Sequence, residues 1–147
     1  HIPEEAFYQV VAAGKRPLIV SHGTARELGP KRVRAIADSG GVVGLHFYSS
    51  YLGKQPTPER VVDAVDDLVK SGGIETVGLG VDLFPIDGDW KKFQNAQGTA
   101  DVSWAIPDLS HMSEITRALV KRGYSDQHIE AILGGNFLRV CRDVLGS

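Results

Sequence analysis

The chain reads as an α/β unit built on a parallel sheet. Three observations predict it: three short apolar strands that end in polar residues, helical stretches of ten or more residues between them, and glycine or proline at the junctions. Strands alternating with such helices pair in parallel, because the helix spans the crossover. A parallel sheet must then be covered on both faces or closed on itself.

The elements follow in order. From Pro3 a helix carries Phe7, Val10 and Val11 at helical spacing, and Gly14 ends it. Pro17-Leu-Ile-Val20 is a buried strand with the polar tip Ser21-His22-Gly23. A second helix starts at Pro30, with Val33, Ile36 and Ala37 on one face, and stops at Gly40 and Gly41. Val42 to Phe47 is a second strand. Thr57 and Pro58 supply an N-cap and a first-turn proline for a helix whose apolar stripe is Val61, Val62, Val65, Leu68 and Val69. Thr76 to Val81 is the third strand, ending in Asp82. Leu83 to Pro107 has no clear period, which marks a functional loop. Helices over Met112 to Lys121, Asp126 to Leu133 and Phe137 to Leu145 close the chain. In the last, Phe137, Val140, Cys141 and Val144 share a face, so Cys141 reads as core, and Asn136 reads as capping or turning the junction of the last two helices.

Three strands can neither close nor be covered as such a sheet requires. The remaining strands are expected from sequence upstream of His1 or from another chain. With 147 residues, 42% hydrophobic and 23% charged, the chain can bury one core. A net charge of -2, from 16 basic and 18 acidic residues spread along the chain, provides no basic stripe for nucleic acid. The lone Cys141 excludes an internal disulfide. No apolar run reaches the ~20 residues of a membrane span. The compartment is not fixed by the residues, and the cytoplasm is favoured over export.

Functional groups of parallel α/β folds gather at the carboxyl ends of strands. His22 and Asp82 hold such ends, and His1 makes a third if it tips a strand that begins upstream. Imidazole is the commonest zinc ligand, and a carboxylate facing the activated water can take its proton and return it to a leaving amine. Plainer readings stand beside these: a hydrogen-bonded structural histidine at a strand end, and a turn carboxylate for Asp82. His46 alternates with Gly44 on its strand and reads as a substrate contact or a satisfied core histidine. Tyr48, Tyr51, Trp90 and Trp104 read as pocket walls or as loop packing.

The stretches Pro17-Leu-Ile-Val-Ser-His22-Gly-Thr-Ala-Arg26, Ala35-Ile-Ala-Asp-Ser-Gly-Gly-Val-Val-Gly44, Val77-Gly-Leu-Gly-Val-Asp82, Arg122-Gly-Tyr-Ser-Asp126 and Ile132-Leu-Gly-Gly-Asn-Phe-Leu-Arg139-Val140 occur in this order over nearly the whole chain. Together they resemble the C-terminal half of the membrane (renal) dipeptidase family of zinc peptidases. The resemblance implies the second half of an amidohydrolase-type (β/α)8 TIM barrel, here a single domain part over residues 1–147 whose N-terminal half is not in this chain. It implies two zinc ions bridging a hydroxide that attacks the carbonyl of a dipeptide or similar small amide. It further implies that His22 and His1, which precedes it by 21 residues, are zinc ligands, and that Asp82 is the catalytic proton shuttle.

The family's His-x-Asp ligand pair and bridging glutamate belong to the half not present, so the segment alone is expected to be inactive and to need that half as its partner. A homodimer is also admitted. Two departures bear on substrate. The family's Asp-Phe-Asp-Gly is Asp82-Leu-Phe-Pro here, and the connection after His22 is shortened, without the Pro-Arg-Asn that supplies an arginine for the substrate carboxylate. Arg26 or Arg32 is the expected substitute, with a solvated surface role as the plainer reading; Arg26, His46, Tyr48 and Trp90 are thus the candidate substrate contacts. The competing functions are a barrel that has lost catalysis and binds a small ligand or protein, and an amidohydrolase relative acting on another amide or ester.

Overall fold

The structure, a computed structural model, describes residues 2–83, 92, 96 and 102–146. His1 and Trp90 lie outside the described residues, as does most of the loop between Leu83 and Pro107. The elements are α1 (Glu4–Ala13), β1 (Ile19–Gly23), α2 (Ala25–Asp38), β2 (Val42–Leu45), α3 (Ser49–Leu52), α4 (Pro58–Gly72), β3 (Val77–Leu79), α5 (Met112–Arg122), α6 (Asp126–Glu130) and α7 (Asn136–Leu145), with a wide turn over Ala131–Gly135 before α7.

The three strands form one sheet in the order β1-β2-β3, every pair parallel. Each successive strand is therefore added on the same side, which is how a βα barrel grows. β2 is central and wholly buried, whereas Ile19 of the outer strand β1 is half exposed. Val43, Leu45 and Val77 of the sheet pack with Val33 and Ile36 of α2, Val61, Val65 and Leu68 of α4, and Ile115 and Leu119 of α5 in one core. Each such aliphatic side chain contributes about 1.5–3 kcal/mol when fully buried.

Two glycines permit the sheet's curvature. A methyl at Gly44 or Gly80 would run into the carbonyl oxygen of Ser21, so the three strand backbones close together only because those positions lack a side chain.

The caps read from sequence form. Thr57 Oγ1 accepts the Arg60 N–H at 3.3 Å, with Pro58 in the first turn of α4. Gly14 follows α1.

Some expectations need correction. The helix expected from Pro30 begins at Ala25, with Thr24 as its cap, and breaks at Gly29, whose φ of 74° takes it out of helical geometry just before Pro30. The second and third strands are shorter than expected, and a short helix, α3, follows the second. Cys141 is exposed, because α7 meets the sheet through the buried Val140 and the half-buried Phe137, whose ring lies against Gly78. Asn136 stands at the junction of the last two helices, as expected, but does not cap the helix. It is buried, and its amide donates to the carbonyls of Ile74 at 2.8 Å and Val77 at 2.7 Å, fastening the last helix to the start of β3. Arg139 adds bonds to the carbonyls of Gly40 at 2.7 Å and Glu75 at 2.9 Å.

Candidate active site

Parallel strands present their carboxyl ends at one rim, and β1, β2 and β3 deliver His22, His46 and Asp82 there in turn. His22 occupies the penultimate position of β1, with Nδ1 3.0 Å from the Ser21 hydroxyl. That contact orients the imidazole in the manner of a ligand whose second nitrogen is fixed by a neighbour. Its ring centroid lies 5.8 Å from that of His46.

His46 follows β2 and is 2% exposed. Its Nε2 is 2.9 Å from a carboxylate oxygen of Glu27, so Nε2 carries the proton and donates. Nδ1 is buried with no hydrogen-bond partner among the described residues. One face of the ring rests on Tyr51, with centroids 4.1 Å apart.

Glu27 is the residue that sequence reasoning missed. It sits in the first turn of α2, where Thr24 Oγ1 accepts the Glu27 N–H at 3.3 Å and its own hydroxyl donates to the Glu27 carboxylate at 3.0 Å. The signal was present: Thr24-Ala-Arg-Glu27 has the spacing of a capping box. Here the carboxylate turns outward to His46. The Tyr51 hydroxyl also bonds Glu27, and burial first, then the negative charge of Glu27, pushes the Tyr51 phenol above its ordinary range. Three donors on one carboxylate fix its orientation.

The break at Gly29-Pro30 leaves the Glu27 and Leu28 carbonyls without helical donors. Arg32 satisfies both, through Nε to Leu28 at 2.5 Å and Nη2 to Glu27 at 2.9 Å. Arg26 is exposed and lines an open groove with Lys31, Arg34 and Lys70, and smaller hollows with Tyr51 and with Glu27 and Arg32. His22, Glu27, Leu28 and Arg32 share a different cavity of about 420 Å³, whose other wall is Phe7 and Val10 of α1.

Asp82 lies three residues beyond β3 and is exposed, with a φ of 52°. That left-handed backbone is uncommon outside glycine, though aspartate tolerates it better than most residues. The chain returns from the loop at 103–105 and runs beside the end of β2: Ser49 N–H donates to Ser103 at 2.9 Å, Ala105 N–H to Phe47 at 3.0 Å, and Tyr48 and Trp104 form an antiparallel bridge. The Trp104 indole N–H then reaches the Asp82 carbonyl at 3.0 Å. Tyr48 fills the space between, its ring 5.7 Å from Trp104 and 6.0 Å from Tyr51.

The structure therefore gathers His22, His46, Tyr48 and Asp82 at one rim, together with Glu27, Tyr51 and Trp104. Among the described residues no three His, Cys, Asp or Glu side chains are close enough to hold a metal ion. The oriented imidazole of His22 fits a metal ligand, but the described residues do not complete a centre.

Comparison with known proteins gives a consistent picture. The family model described as membrane dipeptidase, peptidase family M19, matches residues 1–145. A dipeptidase of Claviceps purpurea, tcpJ, is 29% identical over 98% of this chain but only 33% of its own length. An uncharacterised Klebsiella pneumoniae protein from the pqqA 5′ region is likewise 29% identical over 98% of this chain and 53% of its own. The chain thus spans about a third to a half of these relatives.

Among solved structures, an amidohydrolase from Pseudomonas aeruginosa superposes with a TM-score of 0.82 at 22% identity over all of this chain and 51% of its own. A metallopeptidase from Rhodobacter sphaeroides, bound to a phosphinate mimic of L-Ala-D-Ala, superposes with a TM-score of 0.78 at 21% identity over 97% of this chain and 40% of its own. These likenesses carry the fold, that of half an α/β barrel. With the family model covering nearly every residue, the chain belongs to the membrane dipeptidase family of metallopeptidases, M19.

Proposed function

We propose that the protein carrying this chain is a zinc-dependent hydrolase of dipeptides or similar small amides, and that residues 1–147 supply one side of its active site. The supporting observation is that His22 and Asp82 stand at the carboxyl ends of β1 and β3, on either side of His46 after the central strand, with Tyr51 on its ring. His22, with His1, is assigned to hold metal. A bound zinc supplies Lewis-acid polarisation of the carbonyl and lowers the pKa of water to about 7.

The chain's own residues then handle the proton and the geometry. Asp82 accepts a proton from the attacking water as the carbon–oxygen bond forms, and delivers it to the amide nitrogen as the carbon–nitrogen bond breaks. Being exposed, the Asp82 carboxylate can reach a substrate without rearrangement. Tyr48 and Trp104 wall the space beside it. The remaining ligands are assigned to the other half of a complete barrel.

Metal analysis and dipeptide hydrolysis on the full-length protein test this. Bound zinc, loss of turnover on chelation and a fall of at least about a hundredfold in kcat for Asp82→Asn are expected. Full activity after that substitution rejects the role of Asp82. Ligand binding without any hydrolysis favours a barrel that has lost catalysis.

A further inference from the structure

We propose that Trp104 is a positioning residue for Asp82, holding the turn that carries the carboxylate at the strand-end rim. The inference rests on the reading of Asp82 as the proton-handling group. Asp82 departs from β3 with a φ of 52°, a left-handed conformation that costs an L-residue energy even where aspartate tolerates it, and that a contact to its main chain stabilises. Beyond β3 the segment is held by the 3.4 Å bond from the Phe47 N–H to the Val81 carbonyl and, at Asp82 itself, by the 3.0 Å bond from the Trp104 indole.

Trp104 is itself well placed to act as an anchor. Its main chain is bridged to Tyr48, and the flanking Ser103 and Ala105 are bonded to Ser49 and Phe47, so this segment is tied to the end of β2. Its ring is braced by Tyr48. The central strand therefore sets the position of the indole, and the indole sets the position of the turn beyond β3. Asp82 follows β3 at the same strand-end rim where His46 and His22 follow and end β2 and β1, with Tyr51 stacked on His46. A proton shuttle displaced by ~1 Å loses much of its rate, whereas substrate held by other groups binds as before.

The test uses the full-length, zinc-loaded protein and an unmodified dipeptide. Trp104→Phe keeps an aromatic ring against Tyr48 and removes the N–H. It is expected to lower kcat by about tenfold, with KM changed less than about twofold and zinc content unchanged. Trp104→His retains a ring N–H and is expected to keep at least about a third of native kcat. Expressing kcat per bound zinc corrects for any unfolded fraction.

In an Asp82→Asn background, adding Trp104→Phe is expected to change residual kcat by less than about twofold, since the group it positions is already lost. Native kcat for Trp104→Phe overturns the proposal. So do equal losses for Phe and His, or the same fold-loss in both Asp82 backgrounds, because each marks a merely structural tryptophan. Full activity of Asp82→Asn alone removes the underlying reading, and this inference with it.

Discussion

The imidazole Nε2 of His46 and the carboxylate of Glu27 lie 2.9 Å apart, linking the end of β2 to the first turn of α2. His46 is 2% exposed, so the N–H has no recourse to water if its acceptor is removed. Glu27→Ala is expected to destabilise the fold by about 1–3 kcal/mol, and Glu27→Gln, whose carbonyl can still accept, by less than half of that. Urea unfolding measures both. Equal effects would show that the acceptor is not what matters at this position.

Asp82 adopts a backbone better suited to glycine. Asp82→Gly is expected to raise stability by roughly 0.5–1 kcal/mol while abolishing turnover, the opposing signs expected where a functional residue is kept at a conformational cost. Thermal unfolding and dipeptide assays on one preparation check this pair of outcomes.

Gly44 and Gly80 both back onto the Ser21 carbonyl. Replacing either with alanine forces the strands apart at the rim, at a cost of about 1–3 kcal/mol. Because β1 carries His22, the same change is expected to weaken zinc retention, which metal titration reads. Gly53 faces open space but has a φ of 100°, so Gly53→Ala is expected to strain the turn without moving the site.

Asn136 bonds two carbonyls from inside the core. Asn136→Leu removes both bonds while leaving apolar volume, and is expected to cost about 2–4 kcal/mol. Differential scanning calorimetry should show a lower transition temperature, with the loss persisting across salt concentrations because no ion pair is involved.

The Tyr124 hydroxyl donates to Asp66 at 2.6 Å, and burial, then this bond, raises its pKa. A tyrosine that holds its proton longer when folded contributes stability that is intact below the unfolded value of about 10 and is lost as pH climbs from there toward the folded value. Tyr51 is shifted in the same direction, so stability is expected to fall above about pH 10. Tyr124→Phe should flatten part of that fall, and unfolding curves between neutral and strongly alkaline pH would reveal no difference if the bond to Asp66 is unimportant.

Local chemistry made much of the fold legible. Thr57-Pro58 announced α4, and its five apolar positions announced the buried stripe, because a cap and a helical period each involve residues within a few positions of one another. The polar tips after apolar runs marked His22 and Asp82 as strand-end groups. Cys141 was misread for a related reason. Its helical face follows from spacing, but whether that face is covered depends on what α7 packs against, and the sheet reaches only as far as Val140 and Phe137. Glu27 carried a readable capping signal, yet nothing near it in sequence indicated that its carboxylate would turn to a histidine 19 residues away.

By itself, then, the sequence determined the alternation of strands and helices and the strand-end positions of His22 and Asp82, which rest on spacing and on contacts between near neighbours, while its motifs carried the resemblance to the family. Tertiary structure alone decided that Glu27 would bind His46, that Trp104 would hold the turn at Asp82 from 22 residues away, and that Asn136 would fasten to Ile74 across 62. The reason is physical: such bonds form only after a curved parallel sheet has brought distant backbones together, and no local pattern encodes which buried donor will then need which acceptor.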